Sequence, residues 1–372
     1  MKRFSTILAA VLLCLGISID KTNAQGCVAI RSTGGLCTMD EHPDDSTMTH
    51  DHNNGSWLFN SNNRYFRSFR HFIGKQEQRQ RIAQGTNVIN HAYTQDLTLT
   101  RLFNARWSAL IDVPVLDNSR SSLYEHGNID RHSTHSFGVG DIRFATYAWL
   151  FNPEKAKKGN IQIGLGIKFA TGNYSYQDYF YNVGPNGTKR LGPVDQSIQL
   201  GDGGTGITAE INSYYNFSHT IGVYENFFYL SNPRDVNGVS TARGGTASAT
   251  AVANTSDVMS VPDQYMARGG FSFETGHFAF LAGARIEGLP ARDFIGGNDG
   301  FRRPGYIFSG EPGINWRSRN VSVYAFVPIA IIRDRTVSVA DEITTRLTGV
   351  PTHGDAAFAD YVVNIGMTVH IK

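Results

Sequence analysis

Between Ile161 and Ala170 the chain alternates without a miss: Ile161, Ile163, Leu165, Ile167 and Phe169 interleave with Gln162, Gly164, Gly166, Lys168 and Ala170. Successive side chains of a strand point to opposite faces, so this run has one hydrocarbon face and one small or polar face. Residues 140–151 form its partner and set Asp141 and Arg143 beside Ile142 and Phe144. A sandwich core could use the hydrocarbon face, but charges on the other face suit a lumen better. Lipid offers a backbone no hydrogen bonds, so spanning strands must close into a barrel whose strands run apolar outward and polar inward.

The same rule repeats along the chain. Strands are expected over 64–73, 86–103, 107–115, 140–151, 161–171, 206–217, 220–230, 263–275, 277–287, 303–316, 320–333 and 358–371. The connections between them alternate short and long: Asn104-Ala105, Ser218-His219 and Gly276 against 117–136, 172–205, 231–261 and 334–356. Outer-membrane barrels carry short turns on the periplasmic edge and long loops outside. The expected fold is therefore all-β, a closed antiparallel transmembrane barrel of about twelve strands, over residues 64–372.

Ahead of the barrel, Lys2 and Arg3 precede an apolar run from Ile7 to Ile17 and a polar end at Thr22-Asn23-Ala24, the pattern of a secretory signal peptide over 1–24. Lys2, Arg3, Asp20 and Lys21 leave with it, so the formal net charge of +2 falls to zero, which argues against a nucleic-acid partner. Residues 25–63 are loop-like and read as a periplasmic extension or a plug in the barrel mouth. Export makes a Cys27–Cys37 disulfide the default there. Its acidic and histidine run, Asp40 to His52, matches no metal loop and reads as a solvated linker.

Turning the apolar faces to lipid leaves Arg106, Asp112, Asp141, Arg143, Lys168, Glu210, Arg268, Glu274, Arg285 and Glu287 indoors. Such charges are costly against lipid and acceptable around a wet lumen. They form either a salt-bridge network that fills the lumen or the lining of a small-solute path. Tyr174, Tyr176, Tyr179, Phe180 and Tyr181 are expected to anchor at headgroup level. No Gly-x-Ser-x-Gly elbow occurs and the histidines are scattered, so neither an enzyme, a cofactor nor a metal is expected; the pair His132 and His135 lacks supporting ligands.

Four stretches, 64–72, 194–204, 232–238 and 261–268, resemble a Bacteroidetes-type outer-membrane transporter family. That family is in turn similar to barrel proteins assigned to the meta-cleavage pathway of phenol degradation. The resemblance implies passage of small molecules, hydrophobic or aromatic ones among them, across the cell outer membrane of a Gram-negative organism. Membrane lipid, a small-molecule solute and the barrel-assembly machinery are the partners such a protein implies. A non-conducting structural or ligand-binding barrel acting through its outer loops is the alternative.

Overall fold

The structure is a computed structural model that describes residues 55–371. The signal sequence, the Cys27–Cys37 pairing and the acidic run lie outside these residues. Twelve antiparallel staves form one closed barrel. They are β1 Trp57–Ile73, β2 Ile89–Leu102, β3 Trp107–Ser122, β4 in the two segments His132–Val139 and Arg143–Trp149, β5 Gly159–Lys168 and β6 Gly206–Asn216. The second half comprises β7 Ile221–Ser231, β8 Gln264–Thr275, β9 Phe278–Leu289, β10 Gly305–Arg317, β11 as Val321–Phe326 and Ile329–Arg335, and β12 Ala356–Ile371. Each stave pairs with its sequence neighbours, and β12 closes on β1 from Trp57 opposite Ile371 to Phe72 opposite Ala356. No helix among the described residues is long and apolar enough to cross a membrane.

Burial follows the alternation. On β5, Ile163, Leu165 and Ile167 are exposed while Gln162, Gly164, Gly166 and Lys168 are buried. Leu165 at 60%, Phe271 at 63% and Ile331 at 64% exposure are apolar residues facing outward, which only a lipid environment stabilises. Exposed Trp57, Phe103, Trp107, Phe217, Phe278 and Trp316 ring the short-turn edge; Tyr65, Tyr93, Phe169 and Tyr361 form a second ring. Tyr65 lies eight residues along β1 from Trp57. At about 3.3 Å per residue and a tilt of roughly 40° the rings stand about 20 Å apart, close to the height of the lipid band of such barrels.

Both interrupted staves face prolines. On β3 the Pro114 carbonyl accepts from Gly140 of β4 (2.8 Å). Its missing N–H lies on that same side, so the ladder stops and resumes at Asp112 opposite Arg143, one extra residue having been absorbed by β4. On β10 the Pro312 carbonyl accepts from Val327 (3.1 Å), and β11 breaks there, at Val327-Pro328.

Several expected boundaries shift. The first stave begins at Trp57 rather than residue 64, so residues 57–63 belong to the barrel. Its mixture of Asn, Arg and aromatic residues hid the period, because the inward positions Asn60, Arg64 and Ser68 are polar and their neighbours Ser61, Asn63 and Arg67 are polar too. Residues 117–136 are mostly not loop: β3 and β4 pair as far as Ser122 opposite His132, beyond the lipid. The long loops carry structure of their own. Gln177–Phe180 pairs with Arg190–Pro193, Val236–Ser240 with Val258–Ser260, and α1, Val339–Thr348, starts in a capping box of Ser338 and Asp341.

Candidate functional site: a charged lumen beneath an arginine-lined vestibule

The barrel interior is layered. Near the short turns Tyr224, Ala279, Leu281, Tyr324 and Phe326 form an apolar cluster. Above it lies a belt of buried charges. Arg143 pairs with Glu210, whose Oε1 also accepts from Tyr147 (2.8 Å). Arg285 pairs with Glu287 (2.8 Å) and Glu311 (3.4 Å), Glu311 with Arg268 (3.4 Å), and Arg64 stands 3.9 Å from Glu287. Thr98 donates to Asp112 (2.7 Å), and Asn62 donates to Asp96 (3.4 Å). The Nε–H groups of Arg143, Arg268 and Arg285 are buried without a protein acceptor. A wall with such donors is one that water satisfies.

The ten sequence-selected residues are distributed over several levels of the structure. Asp112, Arg143, Glu210, Arg268, Arg285 and Glu287 share the belt, each under a tenth exposed. Lys168 and Asp141 stand higher: Lys168 pairs with Asp141 (3.4 Å) and with Asp202. Asp141 also accepts from the backbone of Gly172 (2.9 Å) and Asp202 (3.2 Å), pinning loop 169–205 to the break in β4. Glu274 sits at the short-turn mouth with Arg317 (3.2 Å). Arg106 is a correction. It is exposed in the 103–106 turn and donates to the carbonyls of Trp149 (3.1 Å) and Leu150 (3.0 Å), because it precedes the first ladder residue of β3.

Loops close the far end. Val194, Ile198, Leu200, Met259 and Val261 are buried inside the mouth, and Gln196 of the first loop donates to the Ser260 carbonyl of the second (2.9 Å). Between them and the charged belt remains a cavity of about 70 Å³, whose wall includes Arg143, Phe228, Leu230, Met259 and Leu289. A larger cavity, about 420 Å³, lies among the loops and the ends of β1, β3, β11 and β12. Five buried or half-buried groups run beside it as a chain. Arg243 pairs with Glu125 (2.9 Å), Glu125 with Arg120 (3.1 Å), Arg120 with Asp195 (3.4 Å), and Asp195 with Arg303 through both carboxylate oxygens (2.8 and 2.7 Å).

These loop carboxylates are tuned by their neighbours. Burial pushes the Asp195 carboxyl up, but Arg120 and Arg303 outweigh it and hold it well below the usual carboxylate range. Glu125 is likewise lowered against its own burial, by Arg120 and Arg243. The His126 imidazole is lowered by burial, and its Nδ1 accepts from the backbone of Tyr181 (3.0 Å), which requires the neutral ring.

No family model matches the chain, and no curated protein sequence matches it. Among solved structures, the chain is similar to an outer membrane channel from Pseudomonas putida F1, with a TM-score of 0.55 and 10% identity over 85% of this chain and 96% of that one. The Pseudomonas putida toluene transporter TodX aligns with a TM-score of 0.42 and 7% identity over 94% and 96% of the two chains. A Pseudomonas aeruginosa FadL homologue gives 0.40 and 8% over 85% and 90%. At these identities the likeness is one of fold, an outer-membrane β-barrel. No comparison supports the Bacteroidetes-type assignment drawn from the four stretches, two of which, 194–204 and 232–238, lie in the loops.

Sequence reasoning missed Arg64, Asp96 and Glu311, which complete the belt. Each lies in or beside a run with several polar neighbours, where the period does not say which of them face inward. The vestibule arginines were missed as well; the only local signal is the Arg302-Arg303 pair at the foot of β10. The aromatic cluster is a second correction. Phe180 is fully buried against His126 (5.7 Å), Tyr181 stacks on His132 (4.4 Å) and Tyr179 lies under Lys189 (4.0 Å), so these rings bind loop to loop above the sheet rather than anchoring in lipid headgroups. Among the described residues no group of His, Cys, Asp or Glu is placed to hold a metal ion.

Proposed function

We propose that the barrel is a gated outer-membrane channel for small molecules, hydrophobic or aromatic ones among them. The observation that carries this reading is the charged belt. A barrel interior serving only as a structural core is more cheaply filled by hydrocarbon, since taking paired charges out of water seldom adds net stability. Arg143, Arg268, Arg285, Glu210, Glu287 and Glu311 instead set paired charges across the interior, each under a tenth exposed, and we read them as the lining of a path that hydrates when the mouth opens. Phe228, Leu230, Met259 and Leu289 supply apolar footing just above it. The loops are the gate, since their apolar residues fill the mouth without belonging to the sheet. Lipid contacts the outer face, and the assembly machinery for such barrels inserts it.

Liposome swelling tests the reading. Vesicles holding the purified full chain should admit a small neutral solute such as a pentose faster than empty vesicles; equal rates at every protein load would overturn it. The second reading, a closed barrel that binds ligands through its loops, is favoured by one observation: the vestibule, at about 420 Å³, is larger than the cavity of about 70 Å³ above the belt. Under that reading, trimming residues 241–257 abolishes ligand binding and leaves the barrel folded.

A further inference from the structure

We propose that the vestibule is a binding site for a small organic anion, a carboxylate carried on an aromatic or apolar body. Six arginines line the cavity, Arg81, Arg120, Arg243, Arg302, Arg303 and Arg335, against two carboxylates, Asp341 and Asp355. The other acids that hold these arginines stand behind the wall. Glu125 takes Arg120 and Arg243, Asp195 takes Arg120 and Arg303, and Asp293 takes both terminal nitrogens of Arg302 (2.8 and 2.7 Å). The guanidiniums are thus fixed from the rear while the cavity side stays rich in positive charge.

Three of the six have a donor left over. The Nε–H groups of Arg243, Arg302 and Arg335 are buried with no acceptor in the protein, and Arg302 and Arg335 are only 2% and 3% exposed. Those nitrogens have no accessible surface and do not reach the cavity; the guanidiniums that keep accessible surface beside it belong to Arg81, Arg243 and Arg303, with side chains 28%, 27% and 12% exposed, and these are the groups an anion can meet. Arg243 is built for this position. Its backbone has φ +52°, in the left-handed region that side chains rarely adopt, and its carbonyl is held by Arg190 Nε (3.0 Å). Its guanidinium lies 5.4 Å from the Tyr124 ring centroid. His71 adds no charge to the count. Its Nε2 accepts from Val88 N (2.8 Å), which leaves the proton on Nδ1 for Asp355 (2.8 Å).

The rest of the wall says what the anion is attached to. Val88, Tyr124, Phe301, Ala340, Ala356 and Ala357 give it apolar and aromatic surface, and a volume of about 420 Å³ suits one small molecule. As a binding site this stands on its own geometry; as the first stop of a permeating solute it rests on the channel reading above.

Titration calorimetry on the detergent-solubilised full chain, with benzoate and its neutral isostere benzamide as probes, tests the proposal. Benzoate should bind at least about tenfold more tightly than benzamide, the worth of one charge-assisted hydrogen bond. Arg243→Gln should lose about that factor for benzoate and lose much less for benzamide. Arg243 sits on a loop, so this variant spares the barrel; a heat-resistant gel mobility equal to wild type verifies that. Equal affinities for the two probes, or no heat from benzoate at millimolar concentration, would overturn the site. Benzoate binding in a protein that never admits solute into vesicles would keep the site and sink the channel; solute entry without benzoate binding would do the reverse.

Discussion

Glu210 illustrates how a carboxylate is kept at bilayer depth. It is paired with Arg143, it accepts the Tyr147 hydroxyl, and the ring of Tyr147 reaches it by lying across Gly164, where a Cβ would meet the ring at 2.5 Å. Glu210→Gln removes the counter-charge of Arg143 and leaves a buried guanidinium unpaired. Breaking a buried pair costs about 3–5 kcal/mol, the upper end applying to dry sites. We expect a destabilisation of about 2–3 kcal/mol in this wettable lumen, read as a lowered urea midpoint in detergent. The double change Arg143→Met with Glu210→Leu should recover most of it. Gly164→Leu should act on the same contact from below by displacing the ring, and it should shift the near-ultraviolet tyrosine signal while the strand content holds.

At the scale of elements, one chain of charges ties four separate connections together: Arg243 from loop 232–263, Glu125 from the β3–β4 hairpin, Asp195 from loop 169–205 and Arg303 from loop 290–304. A carboxyl whose folded pKa lies below its unfolded value stabilises fully above that unfolded value, about 4, and the contribution is lost as pH falls through the folded one. Asp195 and Glu125 are of this kind, so segment 194–202 should keep its hydrogen-exchange protection at pH 5 and lose it only well below about pH 4. His126 titrates first. Its lowered pKa contributes stability above about 6.5 that is lost as pH falls through the depressed value, so the backbone at Tyr181 should open before residue 195 does. If both segments lose protection together near neutrality, the charge chain does not hold the loops. These contacts were not legible in the sequence, because they join residues up to 118 positions apart through connections with no period of their own. The staves were legible wherever lipid and lumen enforce opposite chemistries on neighbours, as in β5 and β12. They were not where a strand leaves the lipid, as at 117–136, since beyond the bilayer no face is obliged to be greasy.

For the molecule as a whole, the decisive contrast is between its two surfaces. Leu165, Ile207, Phe271 and Ile331 are exposed on the outside, while Arg143, Glu210, Arg285 and Glu311 are buried inside. Leu165→Arg places a charge against lipid near the midplane and should cost roughly 2–4 kcal/mol of barrel stability. Thr208→Arg, on the inner face, should cost less and alter selectivity instead; similar losses at the two positions would mean the faces are not solvated differently. The most direct test is single-channel recording of the purified full chain in a planar bilayer. The structure predicts discrete steps of current that grow when the charge chain at the mouth is cut by Asp195→Asn, which frees the loops and leaves the belt in place. A bilayer that stays silent with both proteins, at concentrations where each is shown to be inserted and folded, would contradict it.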